Sequence, residues 1–182
     1  MSKAIGMVEY KTVSAGILAA DTIIKTAEIE IIEAQTVCPG KYIILFAGSI
    51  SAVKASLDAA SIKFPEQLID SFMLGNPNEK IFPAIYGTTE IKNKKALGVL
   101  ETFSAPSIIV AADEAVKAAD VELIEIRLAR GMCGKSYVFF TGEIAAVEAS
   151  IAKAKKSVEK NGMYLDSSVV ANPDEKLWQT IY

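Results

Sequence analysis

The two thiols are the side chains best suited to chemistry in this chain of 182 residues: Cys38 in Thr36-Val37-Cys38-Pro39-Gly40-Lys41, and Cys133 in Arg130-Gly131-Met132-Cys133-Gly134-Lys135. A thiolate can be a nucleophile, a redox centre or a soft metal ligand. The sequence contains no His, so Ser-His-Asp, Cys-His and most zinc-hydrolase arrangements cannot be built within one chain. It also lacks a glycine-rich phosphate loop and a paired-carboxylate motif, which leaves no enzymatic chemistry to point at. A single Cys is not a metal motif, and spacing alone leaves Cys38 open between a ligand and a free thiol in an ordinary turn. Lys25 and Lys117 each follow an Asp by four residues, the spacing of an ion pair along a helix.

These residues sit inside an internal repeat. Lys3-Ala4-Ile5-Gly6-Met7-Val8-Glu9 returns as Lys95-Ala96-Leu97-Gly98-Val99-Leu100-Glu101, and Ala19-Ala20-Asp21 returns as Ala111-Ala112-Asp113, both at an offset of 92. Beyond Cys38 the offset becomes 94, pairing Gly48, Val53 and Ser56 with Gly142, Val147 and Ser150. At the end Asn76-Pro77-Asn78-Glu79-Lys80 matches Asn172-Pro173-Asp174-Glu175-Lys176 at an offset of 96. The first unit runs to about Tyr86, followed by a polar connector with Lys92, Lys94 and Lys95 that reads as a solvated linker; the domain boundaries expected are 1–90 and 91–182.

Each unit reads as strand, helix, two strands, helix, strand and a short last helix, an α/β mixture. Helix one is expected near Ala15 to Thr26 with Ile17, Ala20, Ile24 and Ala27 on one face, and the later helix of the second copy near Ala145 to Val158 with a core stripe of Val147, Ile151, Ala154 and Val158. A strand pair, Glu28 to Val37 and Tyr42 to Ala47, flanks the turn that carries Cys38. Asn-Pro turns precede the last helices, on which Phe82 and Trp178 occupy equivalent packing positions.

The balance of Lys+Arg against Asp+Glu leaves a net charge of −3, which offers no footprint for nucleic acid or an anionic membrane. The longest uncharged run, Tyr42 to Val53, is far below the roughly 18 residues of a membrane span, so a cytoplasmic protein is expected. Apolar residues at 51% of the chain suggest subunit interfaces, although abundant Ala contributes to that figure.

The Lys-Ala-Ile-Gly-Met-Val-Glu string at 3–9, the Ala-Ala-Asp-x-x-x-Lys-x-Ala helix, the strand pair around a glycine-bearing loop and the Gly-x-Ile-x-Ala-Val helix start resemble the bacterial microcompartment shell domain, in both copies. The resemblance implies two tandem α+β domains, each a small, mainly antiparallel sheet flanked by helices. It further implies a homotrimer that forms a pseudo-hexagonal tile and assembles with other shell proteins in the shell of a cytoplasmic compartment. Within the family, Thr36 to Lys41 is most similar to the T-subunit branch of propanediol-utilisation microcompartments. That likeness implies a 4Fe-4S cluster, one per trimer, held at the central pore by Cys38 of three chains, and electron or cluster transfer across the shell with an encapsulated redox enzyme as partner. A shell tile without a cluster, its pore passing small metabolites, is the alternative.

One suitable Cys per loop cannot supply a cluster's ligands alone, but a threefold ring brings three equivalent loops together. Pro39 stiffens the turn and Gly40 permits a path closed to other residues. Cys133 lies in the matching pore loop, where the branch's pattern has no Cys. Its readings are a fourth ligand, a competing thiol or, in preference, a small buried residue. In the family reading Lys25 and Lys117 lie at tile edges and donate to carbonyls of the adjoining tile.

Overall fold

The computed structural model describes residues 4–91 and 94–181; of the polar connector, Lys92 lies outside the described residues. The first repeat contributes β1 (Ala4–Tyr10), α1 (Val13–Thr26), β2 (Ile29–Val37), β3 (Lys41–Gly48), α2 (Ile50–Lys63), β4 (Leu68–Leu74) and α3 (Ile81–Tyr86). The second contributes β5 (Ala96–Thr102), α4 (Ala105–Ala118), β6 (Val121–Arg127), β7 (Ser136–Gly142), α5 (Ile144–Glu159), β8 (Tyr164–Val170) and α6 (Glu175–Ile181). The expected order of elements is found in both copies. Each makes a four-stranded antiparallel sheet, β2-β3-β1-β4 and β6-β7-β5-β8.

The chain divides into two compact units, one of Met1–Pro77 with Ser104–Ser107 and Ala129–Lys135, the other of Asn78–Phe103, Ile108–Leu128 and Ser136–Tyr182. The opening turn of α4 and the loop carrying Cys133 therefore belong with the first unit, and α3 with the second.

In the first unit β1 and β3 are apolar apart from Glu9 and Lys41 and nearly wholly buried, as central strands covered by helices must be. Gly6 is required for close helix packing: a Cβ there would meet Phe46 and Val53 at 2.9 Å, and the equivalent Gly98 of the second unit would meet Phe140 at 2.5 Å. Thr12 caps α1 by accepting from the Ala15 amide at 3.3 Å, and Ser49 caps α2 by accepting from Ala52 at 3.1 Å. The helices of each unit are tied by one buried serine, Ser56 donating to the Ile23 carbonyl at 3.1 Å and Ser150 to Ala115 at 2.9 Å.

One expected face is reversed. Helix α1 buries Ala15, Gly16, Ala19 and Ile23, while Ile17 and Ile24 are exposed. Small residues win the inner face because the helix lies so close to the sheet that a Cβ on Gly16 would stand 2.4 Å from Tyr42. The α5 stripe is core at Val147, Ala154 and Val158, with Ile151 at its margin.

In the second unit Trp178 packs with Leu97 and Ile124 at 2% exposure, the anchor that sequence equivalence suggests. Phe82 is only half-buried, and its neighbour Ile81 takes the inner position on α3. Lys80 donates to the Val121 carbonyl at 3.1 Å, and the Asn78 amide to Asp113 at 2.8 Å, where α3 begins. Lys94 and Lys95 are ion-paired, to Glu175 at 2.9 Å and Glu143 at 2.5 Å, beyond the simple solvated linker expected.

Candidate functional site

The β2–β3 hairpin puts Cys38 at its tip. Strand β2 ends at Val37 and β3 begins at Lys41, and the turn between them closes through Gly40 N–H donating to the Val37 carbonyl at 2.9 Å. The Cys38–Pro39 peptide is cis, and Gly40 has φ +104°, a region that side-chain-bearing residues rarely enter. The glycine-specific backbone path expected at Gly40 is present. Cys38 is half-buried, and with Thr36, Val37, Pro39, Gly40, Arg130 and Gly131 it lines a mostly apolar surface depression of 420 Å³.

Polar groups beneath the turn hold it. Lys41 Nζ donates to Glu9 Oε1 at 2.7 Å and, more weakly, to the Gly134 carbonyl at 3.4 Å. Glu9 is completely buried; its other oxygen accepts from the Ala105 amide at 2.8 Å. Burial pushes the Glu9 carboxyl above its ordinary 4.5, against the opposing bond and charge of Lys41 and the Ala105 bond. Beside the depression, Arg130 pairs with Glu33, which also accepts from Gln35. The Arg130–Glu33 pair uses one oxygen of Glu33, whose Oε2 is buried with no hydrogen-bond partner, and the reactive atom of the depression is the thiol.

Cys133 corrects an expectation: the preferred reading made it a small buried residue, yet it is exposed, with φ +50°. The longer second loop turns tightly through Gly131 at φ +69° and Gly134 at φ +85°, closed by Lys135 N–H to Met132 at 3.0 Å, and this lifts the thiol outward. Arg130 and Gly131 reach the Cys38 depression; Cys133 is not among its lining residues.

Both expected helix ion pairs form, Lys25 with Asp21 at 2.8 Å and Lys117 with Asp113 at 2.5 Å. They differ in their acids: Asp21 is exposed, while Asp113 is buried and also receives the Asn78 amide. Sequence reasoning did not single out Glu9. A Glu within an otherwise apolar central strand, repeated at Glu101 and matched by Lys41 and Lys135, is the signal that could have found it.

Among the described residues no group of three or more His, Cys, Asp or Glu side chains could hold a metal ion. The donor set of one chain is a single half-buried thiol in an apolar setting, which fits a soft iron–sulfur ligand and needs thiolates from further copies. None of the helices among the described residues is long and apolar enough to cross a membrane.

Comparison with known proteins places this geometry in context. The BMC domain matches twice, at residues 4–77 and 96–173. The microcompartment shell protein PduT of Citrobacter freundii is 32% identical over 98% of this chain and 97% of its own. A solved structure of a microcompartment protein from Desulfitobacterium hafniense superposes with a TM-score of 0.85 at 40% identity, covering 98% of this chain and 99% of that one. The fused, permuted hexameric shell protein MSM0275, at 22% identity and a TM-score of 0.66, covers 87% of this chain and 82% of its own and shares the fold.

Proposed function

The chain belongs to the BMC-domain family of microcompartment shell proteins, as a tandem-domain, PduT-type structural member and not an enzyme, and from that premise we propose that three copies form a pseudo-hexagonal tile whose central Cys38 thiolates bind one 4Fe-4S cluster. The observation that carries the cluster reading is Cys38 itself: one half-buried thiol per chain, at a hairpin tip held by Pro39 and Gly40, in an apolar depression. Three copies about an axis would contribute three thiolates, and the fourth iron would take its ligand from elsewhere. When bound, the cluster would supply one-electron transfer between the two sides of the shell, with an encapsulated redox enzyme as partner, while other shell proteins complete the shell.

The chain's own residues prepare that centre. Three thiolates crowded together repel one another until a cationic iron core is bound, so loading should order the turn. Lys41, anchored on buried Glu9, ties the start of β3 down directly behind the turn. The trimer is supported by α1, where Ile17, Leu18 and Ile24 leave an apolar face exposed on the single chain.

The test is iron and acid-labile sulfide content with a visible spectrum on protein purified without oxygen, for the parent chain, Cys38→Ser and Cys133→Ser. The expected result is about one cluster per trimer, lost in Cys38→Ser and retained in Cys133→Ser. No iron in the parent, even after reconstitution, would overturn the cluster and leave a tile whose central opening passes small metabolites.

A further inference from the structure

Two side chains of the first unit hold the opening turn of α4, and a third braces one of them. Glu9 on β1 accepts from the Ala105 amide at 2.8 Å. Asp70 on β4 accepts from the Ser107 hydroxyl at 2.6 Å and from that of Ser104, its other oxygen accepting from the Ser71 amide at 2.8 Å. Lys41 bonds Glu9 at 2.7 Å and approaches the Gly134 carbonyl at 3.4 Å.

The second repeat carries both carboxylates in the same register. Glu101 on β5 stands opposite Asp166 on β8, as Glu9 stands opposite Asp70, and each strand has its irregularity immediately after the Glu. Glu101 also pairs in the ladder with Tyr137, two residues past Lys135, as Glu9 pairs with Ile43, two past Lys41. Asp166 accepts from its own neighbour, the Ser167 amide, at 2.8 Å, repeating the Asp70 bond. Here the parallel stops: among the described residues no helix terminus meets this set. Lys135 and Asp166 are exposed and Glu101 is half-buried.

The missing helix terminus exists elsewhere in the chain. Thr12-Val13-Ser14-Ala15 is the repeat equivalent of Ser104-Ala105-Pro106-Ser107, and Thr12 accepts from the Ala15 amide at 3.3 Å as Ser104 does from Ser107 at 3.2 Å. Thr12, Val13 and Ser14 are exposed. A first-turn amide such as that of Val13 has no acceptor within its own helix.

We propose that Glu101 and Asp166 are the seat for the opening turn of α1 from a second copy of this chain. Glu101 accepts from the Val13 amide and Asp166 from the Thr12 hydroxyl of that second copy. The inference rests on the trimer reading above and gives it residues. The contact is head-to-tail, so it is satisfied for every copy only by a closed ring or an endless filament. Ala15 stands where Ser107 has its hydroxyl, so the seat between copies has one hydrogen bond fewer than the one within the chain.

The test uses the full chain with Cys38→Ser and Cys133→Ser as background, its mass read by light scattering. Thr12→Cys with Asp166→Cys is then treated with a short bifunctional methanethiosulfonate reagent, beside a control of Ser104→Cys with Asp70→Cys. Covalent dimers and trimers from the first pair, and only within-chain links from the control, are expected. A trimeric background in which the control links and the first pair does not would overturn the seat and leave the trimer standing. A monomeric background at every concentration would overturn the trimer, and the seat with it. As a check independent of the reagent, Glu101→Gln should weaken association at least tenfold, and unchanged association would also overturn the seat.

Discussion

The two opening helices, α1 and α4, are equivalent in sequence and equal in length at 14 residues, yet they end in opposite surroundings. Ile17 is 52% exposed; its counterpart Ile109 is fully buried. Around Ile17 lie Leu18 at 54% and Ile24 at 55%, whereas α4 buries Ile108, Ala111, Ala112 and Ala115 completely. The helix left uncovered identifies where the apolar surplus of the composition goes, and a hydrophobic face of this kind is the usual mark of a surface meant to be covered.

The largest effect expected from breaking this comparison is in the core. Ile109→Ala should cost about 2–5 kcal/mol of folding stability, the range for emptying a fully buried aliphatic position. Ile17→Ala, at the equivalent position, should change the stability of the dilute single chain by less than about 0.5 kcal/mol. Urea titration at a concentration where light scattering reads monomer measures both. Equal costs would mean that α1 is covered within the chain after all.

The converse experiment sharpens the comparison. Ile17→Glu should weaken self-association by tenfold or more, about 1.4 kcal/mol per factor of ten, while leaving the dilute chain folded. Sedimentation across a concentration series separates the two. A trimer that persists undiminished would show that copies meet through some other face.

The repeat was legible because whole strings recur, and with it came the order of elements; of the strand pairings, only that of β2 with β3 around the Cys38 turn was read. The inner face of α1 was not. Apolar spacing finds a stripe of Ile17 and Ile24 as readily as one of Ala15, Ala19 and Ile23, and only the closeness of Gly16 to Tyr42 decides that small residues face inward. The Cys38 turn was readable from Pro39 and Gly40, whose conformational limits are local. The outward turn of Cys133 was not, since it depends on how a loop two residues longer spends its extra length. Glu9 escaped notice for a related reason: its partners Lys41 and Ala105 lie far away in sequence, and burial of a charge is visible only once they are brought together.

Glu9 offers a smaller, pH-dependent test. Burial raises its pKa above 4.5, so the native chain holds this proton more firmly than the unfolded chain. The stability this gives is fully present below 4.5 and is lost as pH rises through the raised native value. Glu9→Gln cannot ionise, so the stability of the parent relative to Glu9→Gln should fall as pH rises from 4 to 7, read by denaturation at each pH. A constant difference would show that Lys41 fully offsets the burial.

The smallest effect contrasts two tyrosines, one in each unit. Burial pushes Tyr10 up to about 12, and burial with the hydrogen bond to Glu125 does the same for Tyr137. A phenol that stays neutral in the native chain confers stability that is present below its ordinary 10.0 and is lost as pH rises from there through about 12. Tyr10 is wholly buried and donates to the Ala60 carbonyl at 3.0 Å, but that carbonyl also receives the Phe64 amide at 3.3 Å, so removing the hydroxyl orphans nothing. Tyr10→Phe should therefore cost only about 1 kcal/mol at neutral pH. It should also flatten part of the alkaline loss between 10 and 12, and Tyr137→Phe another part. A double variant whose alkaline profile matches the parent's would show that neither ring governs unfolding there.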